Sequence, residues 1–285
     1  MQPSTRIHSP GQPETRYEGQ SAINQDAADG GYWHQRQLIE ALNNWRSNPL
    51  GARLAMALFG ENALRAKACG AEPMEDPSAK PDLRAWMRKP DGEIVEAWVS
   101  AKLARIGSTD SEERPMHHAA RIKFEEADEH GLLPGNDLEI RSALLSHFID
   151  GESIARIDPE LRARCMAWLS SGWATAARSA IEGLGSPRAT HLVVSLAKNS
   201  SGGQLELAGT RCIKAGQAAI LAAGEAPKAS EPREGQVGTI GGKWMHIQRG
   251  QALSSGPQRD IQIKINAAAF YASSPELPEI PSPKR

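Results

Sequence analysis

Apolar positions in the first part of the chain recur every three to four residues, which is the spacing of an amphipathic helix. This pattern begins near Tyr32 and predicts a helix that ends before Pro49. A second helical stretch is predicted from residue 50 to residue 68, with a break left open at Gly60. Its core candidates are Leu54, Leu58 and Leu64.

A different pattern follows, in which apolar and charged residues alternate. Residues 82–88 have the sequence DLRAWMR, and residues 93–103 have the sequence EIVEAWVSAKL. Between them, Pro90-Asp91-Gly92 is typical of a tight turn, because proline presets the backbone and glycine tolerates a left-handed conformation. Alternation on both sides of a turn predicts a β-hairpin.

The middle of the chain returns to helical spacing and the last third returns to strands. Three apolar stripes predict helices, the second of them with Asn136 or Asp137 as its N-cap. The stripes are Met116, Ala120, Phe124 and Ala127; Ile140, Leu144, Leu145 and Phe148; and Leu161, Cys165, Trp168 and Leu169. Strands are predicted at 191–197, 243–249 and 260–266, and a helix at 213–223.

This order of elements predicts one α/β domain, with a mixed central sheet, flanking helices and a helical insertion at about 114–186, rather than a doubly wound parallel sheet. Residues 1–31 are polar, lack the apolar segment of a signal peptide and predict a flexible arm. The proline-rich residues 273–285 predict a flexible tail, which leaves 32–272 as the folded domain.

Composition and charge limit the expected location of the protein and the kinds of partner it can bind. The three cysteines are far apart in the sequence, and no run of about 18 apolar residues predicts a membrane span. A cytoplasmic protein without a membrane partner is therefore expected. The formal net charge of -1 gives the whole molecule no electrostatic signature of a nucleic-acid binder, although a local basic cleft is compatible with it.

The residues that indicate chemistry lie on the predicted hairpin. Ser100 and Lys102 project from the same face of its second strand, because side chains alternate with a period of two. Asp82 begins the partner strand, so its carboxylate can lie beside them. Phosphodiester hydrolysis needs a divalent metal, an activated water and stabilised negative charge. Asp82 and the backbone carbonyl of Ala101 are hard oxygen donors suited to Mg²⁺, and Lys102 can orient the water or hold the phosphate.

These residues also carry a family resemblance. Pro81-Asp82 followed by Ser100-Ala101-Lys102 resembles the PD-(D/E)XK signature of restriction endonucleases. The middle residue of that signature is usually acidic, but it is Asn or Gln in a small group that cuts four-base GC-rich palindromes. The sequence is similar to that group, particularly to the enzyme that cuts GCGC. Residues 245–250 and 260–265 resemble the last strand pair of the family, and the resemblance spans roughly residues 33–271.

The resemblance implies a PD-(D/E)XK core and a type II restriction endonuclease that cuts double-stranded DNA with Mg²⁺ at a short GC-rich palindrome. It also implies a cognate DNA methyltransferase in the same system. In other PD-(D/E)XK enzymes a carboxylate from the first helix completes the metal site, and Glu40 is the candidate here because Ser100 is not acidic. A palindromic target invites a homodimer, whereas some small family members act as monomers.

Candidate DNA-contacting residues fall into two segments. Arginine, glutamine and lysine read base edges and phosphates, and several surround the last predicted turn. This set comprises His246, Gln248, Arg249, Gln251, Arg259, Gln262 and Lys264. The second segment follows the Ser100-Ala101-Lys102 strand, at a position that opens a helix near DNA in the resembling family. It comprises Arg114, His117 and Arg121.

Two other functions stay open on the sequence alone. A repair or recombination nuclease with the same core would cut DNA by its structure rather than by its sequence. A DNA-binding protein with a degenerate core would bind duplex DNA without cutting it, because Ser100 is not a carboxylate.

Overall fold

The computed structural model describes residues 22–76, 79–105, 116–150, 152–200, 204–230, 238–250 and 260–280. Within these ranges the helices are α1 (Ala22–Asn43), α2 (Pro49–Phe59), α3 (Leu138–Ile149), α4 (Pro159–Ile181), α5 (Ala215–Ala223) and α6 (Ala267–Ser273). The strands are β1 (Ala68–Pro73), β2 (Leu83–Arg88), β3 (Ile94–Arg105), β4 (Met116–Lys123), β5 (His191–Asn199), β6 (Leu205–Lys214), β7 (Lys228–Ala229), β8 (Thr239–Gly241), β9 (Met245–Arg249) and β10 (Asp260–Asn266). None of these helices combines the length and the apolar character needed to cross a membrane.

The first sheet has the strand order β1-β2-β3-β5-β6. Strands β2 and β3 form the predicted antiparallel hairpin, in which Leu83 lies opposite Val99. Strand β5 pairs with β3 in parallel, and the remaining neighbours are antiparallel. The sheet is therefore mixed, as the sequence predicts, and the structure is α/β.

Helices α1 and α2 cover one face of the first sheet. Their buried leucines, such as Leu38 and Leu54, join Leu83 and Val99 in one hydrophobic cluster. Helix α1 ends at Asn43, before Pro49 as predicted. Asn48 caps the next helix, α2, by accepting a hydrogen bond of 3.1 Å from the Gly51 N–H.

One core prediction in this region is wrong. Leu58 is buried as expected, but Leu64 is 45% exposed. The chain leaves the α-helix at Gly60, which has a φ of 69°, and continues as a 3₁₀ turn from Gly60 to Arg65. The tighter turn changes the direction of the later side chains, so helical spacing no longer predicts which residue faces the core.

The second sheet has the strand order β4-β10-β9-β8-β7 and is antiparallel throughout. The two strands predicted near the end of the chain, β9 and β10, pair with each other. Ile261, Ile263 and Ile265 point to one face and are at most 1% exposed. They pack in the larger hydrophobic cluster with residues of α3, α4 and α5.

The helix predicted from the stripe that begins at Met116 is wrong. Residues Met116–Lys123 form β4, and a 3₁₀ turn from Phe124 to Glu126 follows. Ile122, which the helical stripe leaves out, is 1% exposed and lies opposite Ile261. The backbone N–H and C=O groups of β10 need hydrogen-bonding partners on this side. Pairing with β10 therefore overrides the helical spacing of the apolar residues in this segment. Within the predicted insertion, the first α-helix begins at Leu138, where Asp137 is the N-cap.

Strand β6 is absent from the sequence predictions, and the helix predicted at 213–223 begins only at Ala215. The ends of the chain also differ from expectation. Helix α1 begins at Ala22, inside the predicted arm, whose residues 1–21 lie outside the described ranges. At the other end, Ser274 and Leu277 are each 4% exposed, so the first part of the predicted tail packs on the domain. Residues 281–285 lie outside the described ranges.

Candidate active site

The hairpin places Asp82 directly before β2 and beside the middle of β3. The Asp82 N–H donates a hydrogen bond of 2.8 Å to the carbonyl of Val99. Since Leu83 lies opposite Val99, this bond aligns Asp82 with Ser100 on the neighbouring strand. The sequence prediction that Asp82, Ser100 and Lys102 lie together on the hairpin is confirmed by this register.

Three donors converge on one oxygen of the Asp82 carboxylate. The N–H of Ala101 donates to Oδ2 at 2.6 Å, and the Ser100 hydroxyl donates at 3.2 Å. The Lys102 ammonium donates to the same oxygen at 3.3 Å and forms an ion pair with it. Ser100 is 1% exposed, whereas the Asp82 and Lys102 side chains are 37% and 14% exposed. The carboxylate is therefore accessible to a ligand while its orientation is fixed from beneath.

The surroundings of Asp82 keep it ionised. Its partly buried position alone would raise its pKa, since a desolvated carboxylate favours the neutral form. The charge of Lys102, the Ala101 N–H and the charge of Lys80 together outweigh this effect and hold the pKa of Asp82 below its usual value. At neutral pH the site therefore offers a negatively charged oxygen donor.

Lys80 is a residue of this site that the sequence predictions do not include. Burial, the repulsion of Lys102 and, in the opposite direction, the attraction of Asp82 set its pKa, which is lowered to about 7. The sequence contains a pattern that could have identified Lys80. Lys80 precedes Pro81, and a residue before proline favours an extended backbone, which projects residues 80 and 82 to the same side.

The second sheet presents its polar face as rows across the strands. Gln248 lies opposite Gln262, Thr239 lies opposite Gln248 on the next strand, and the backbone of Arg121 lies opposite Gln262 on the far side. In the adjacent row His246 lies opposite Lys264. Burial lowers the pKa of His246, and the neighbouring Lys264 charge lowers it further, although hydrogen bonding to Gly242 and the Glu225 charge act against them.

The predicted DNA-contacting residues thus divide by face. The structure brings His246, Gln248, Gln262 and Lys264 together on the face opposite the buried isoleucines. Arg249 lies opposite Ile261 and is half-buried, so strand alternation puts it on the other side. At backbone level His117 lies opposite Ile265 in β4. The remaining candidates, Arg114, Gln251 and Arg259, lie outside the described ranges.

Comparison with known proteins bears on this arrangement. The sequence matches no protein-family model and has no significant match among curated proteins. The structure is similar to the crystal structure of the restriction endonuclease MspI in complex with its cognate DNA, with a TM-score of 0.55 and 12% sequence identity. The match covers 89% of this chain and 93% of the other. The chain has the restriction-endonuclease fold of the PD-(D/E)XK type.

Within this restriction-endonuclease fold, helix α1 contributes a residue to the site, but not through the predicted contact. Gln35 donates a hydrogen bond from its side-chain amide to the backbone carbonyl of Asp82. Glu40, the predicted carboxylate from this helix, is exposed further along α1. Gln35 therefore anchors the strand end that carries Asp82.

A charged network adjoins the site on the same face of the hairpin. Arg84 forms ion pairs with Glu72 at 2.6 Å and with Glu96 at 3.2 Å, and thereby links β1, β2 and β3. The Arg84 guanidinium also lies 6.0 Å from the centre of the Trp98 ring. Because Glu96 is engaged by Arg84, it braces the hairpin beside Asp82.

The donor set fits Mg²⁺ as a site that a substrate would complete. In the ranges that the structure describes, no group of three or more His, Cys, Asp or Glu side chains is positioned to hold a metal ion. Mg²⁺, however, commonly binds through one or two carboxylates together with waters and substrate phosphates. Asp82 and the Ala101 carbonyl supply oxygen donors of this kind, and Ser100 adds a neutral hydroxyl.

Proposed function

We propose that this protein is a type II restriction endonuclease that hydrolyses double-stranded DNA in a Mg²⁺-dependent reaction at a short GC-rich palindrome, with GCGC as the first candidate. One observation carries the proposal. Ser100, the Ala101 N–H and Lys102 converge on the Asp82 carboxylate at the hairpin of a restriction-endonuclease fold. An exposed surface ion pair would not have a buried hydroxyl and a backbone donor organised around it.

Each residue of the cluster has a separate role in the proposed hydrolysis of the phosphodiester bond. Asp82 and the Ala101 carbonyl are the groups that would hold Mg²⁺, which supplies charge stabilisation at the phosphate and a more acidic water. Lys102, fixed by its contact with Asp82, orients the attacking water or stabilises the negative charge that develops on the phosphate. Lys102 and the Ala101 N–H help to keep the carboxylate ionised, and the hydrogen bond from Ser100 helps to orient it.

The polar face of the second sheet is proposed to read the DNA sequence. A glutamine amide can donate to the guanine acceptors and accept from the cytosine amino group in the major groove, and both arginine and lysine bind guanine edges. Gln248 and Gln262 lie side by side, with Lys264 and His246 in the next row. Strand β3, which carries Lys102, precedes β4 of this sheet in the chain, so the cutting and reading elements are neighbours in sequence.

A digestion experiment tests this function. Purified protein is incubated with unmethylated bacteriophage DNA in the presence of Mg²⁺ or of EDTA, and the ends of the products are sequenced. The proposal expects discrete fragments with Mg²⁺ and intact DNA with EDTA, and the ends give the recognition site. A smear with preference for flapped or mismatched duplexes would instead indicate a repair or recombination nuclease.

One observation favours a second candidate, a DNA-binding protein that has lost catalysis. Asp82 is the carboxylate of the cluster, and the position usually occupied by a second acid is the neutral Ser100. Such a protein would shift duplex DNA in a gel equally well with Mg²⁺ and with EDTA and would leave it uncut in both.

The proposal extends to the setting of the enzyme. We infer a cytoplasmic protein that acts with a cognate DNA methyltransferase, since an unprotected target would be cut in the host. A homodimer would match the two-fold symmetry of a palindrome. Sedimentation of the protein with and without an oligonucleotide that contains the mapped site distinguishes a dimer from a monomer that nicks each strand in turn.

A further inference from the structure

Lys80 is fixed in position by the end of helix α4. Gly183 follows this helix with a φ of 84°, and its N–H donates to the carbonyl of Arg178. A Cβ placed on Gly183 would lie only 2.5 Å from Cβ and 2.9 Å from Cγ of Lys80. Glycine is thus required both by the backbone conformation and by the lysine that crosses it. The aliphatic part of Lys80 lies on this backbone and is held there.

The Lys80 ammonium group lies near charges of both signs, those of Lys102 and Asp82. This ammonium group is repelled by Lys102 more strongly than it is attracted by Asp82. Asp82 in turn interacts with both lysines, and Lys102 has the stronger effect. Both lysines therefore interact with the same aspartate in a half-buried site, and a bound divalent cation would add further positive charge. An anion placed between the lysines would relieve this repulsion.

We propose that Lys80 is a second substrate-binding lysine, which binds the phosphate of the DNA strand that is cut. This inference rests on the proposed nuclease function and deepens it. Lys102 donates to Asp82 at 3.3 Å and is the lysine placed to orient the attacking water. Lys80, whose stem packs on Gly183 and whose charge interacts with Asp82 and Lys102, would bind a non-bridging phosphate oxygen. The phosphate thus replaces the second negative charge that an acidic residue at position 100 would supply.

The test begins with DNA binding in EDTA, which needs neither metal nor cleavage. The affinity of each variant for a duplex that contains the mapped site is measured at several salt concentrations. Lys80→Met keeps the aliphatic stem that packs on Gly183 but removes the charge. Loss of one phosphate contact is expected to reduce the slope of log affinity against log salt by about 0.9. Lys80→Arg should retain the wild-type slope, and Lys89→Met, at the distant hairpin turn, serves as the matched control.

Single-turnover cleavage with Mg²⁺ completes the test. Lys80→Met is expected to cut about 10- to 100-fold more slowly than wild type, as for the loss of one charged hydrogen bond, and Lys80→Arg should recover most of that loss. Thermal unfolding establishes that each variant is folded. A wild-type salt slope and a wild-type rate for a folded Lys80→Met would overturn this inference alone. Failure of the wild-type protein to cut any duplex would overturn the proposed function and this inference with it.

Discussion

The two sheets of this protein organise their polar residues in different ways. In the first sheet, three donors meet a single carboxylate oxygen of Asp82, and the distances lie between 2.6 and 3.3 Å. In the second sheet, Gln248 and Gln262 lie opposite each other on adjacent strands, where Gln248 is half-buried and Gln262 is 5% exposed. The first arrangement fixes one atom for chemistry, and the second places polar residues opposite one another at the regular spacing of the strands.

This difference indicates how one fold separates cutting from reading. A catalytic group must be preorganised, so its partners lie within the protein. A sequence-reading face must find its partners in the DNA groove, so its polar side chains are spread along several strands and do not converge on one atom. If this division is correct, substitutions in the first sheet will affect the rate of cleavage, and substitutions on the polar face of the second will affect recognition.

The largest effect is expected for Asp82→Asn. This change removes the negative charge that Lys102 and Lys80 share and the oxygen donor assigned to Mg²⁺. Single-turnover cleavage of the mapped duplex should fall by about 10³-fold or more. The matched control is Glu96→Gln, on the same strand face but paired with Arg84, which should change the rate by less than about threefold. Equal losses in both variants would contradict the assignment of Asp82.

The next effect concerns the opposite face of the second sheet. Ile263 is fully buried, and Ile263→Ala should lower the free energy of unfolding by about 2–5 kcal/mol through the lost burial and the cavity left behind. Chemical denaturation measures this change. Gln248→Ala, on the polar face of the adjacent strand, should change stability by less than about 0.5 kcal/mol. A severe loss of stability in Gln248→Ala would mean that this face supports the fold rather than reading DNA.

A smaller effect is expected on recognition by the polar face. Gln248→Ala should weaken binding to the mapped site by about 1–3 kcal/mol, because one side chain no longer pairs with a base edge. Binding to an unrelated duplex should stay the same. Gln204→Ala is the matched control, since Gln204 is an exposed glutamine before β6. An equal loss on specific and unrelated duplexes would show that Gln248 contacts the DNA backbone or acts indirectly.

The smallest effect is expected for Ser100→Ala. Its hydroxyl donates to Asp82 at 3.2 Å, but the shorter bond from the Ala101 N–H would remain. Loss of this one hydrogen bond should slow cleavage by about tenfold or less. Ser170→Ala on the exposed side of α4 is the matched control. A loss as large as that of Asp82→Asn would show that the hydroxyl itself takes part in the chemistry.

The hairpin and its cluster could be predicted from the sequence because they depend on local rules. The turn at 90–92 sets the register, and the period of two then fixes which side chains meet. The fold class followed from the order of the elements. The same rules identified β9 and β10 but did not determine that Arg249 lies on the face opposite Gln248 and Gln262.

The errors occur where distant parts of the chain decide the structure. Strand β4 has helical spacing, yet its backbone pairs with β10, more than a hundred residues away. Gln35 reaches Asp82 from α1, and Gly183 fixes Lys80 from the end of α4. These contacts bring together segments that are far apart in the chain, so no short-range pattern contains them.

The central claim is that the first sheet cuts DNA that the second sheet recognises, and Lys102→Met tests it most directly. Single-turnover cleavage of the mapped duplex and binding of the same duplex in EDTA are measured on one preparation, beside Lys89→Met. We predict a rate reduced by about 10³-fold with an affinity within about threefold of wild type. Cleavage by Lys102→Met at the wild-type rate would contradict the account.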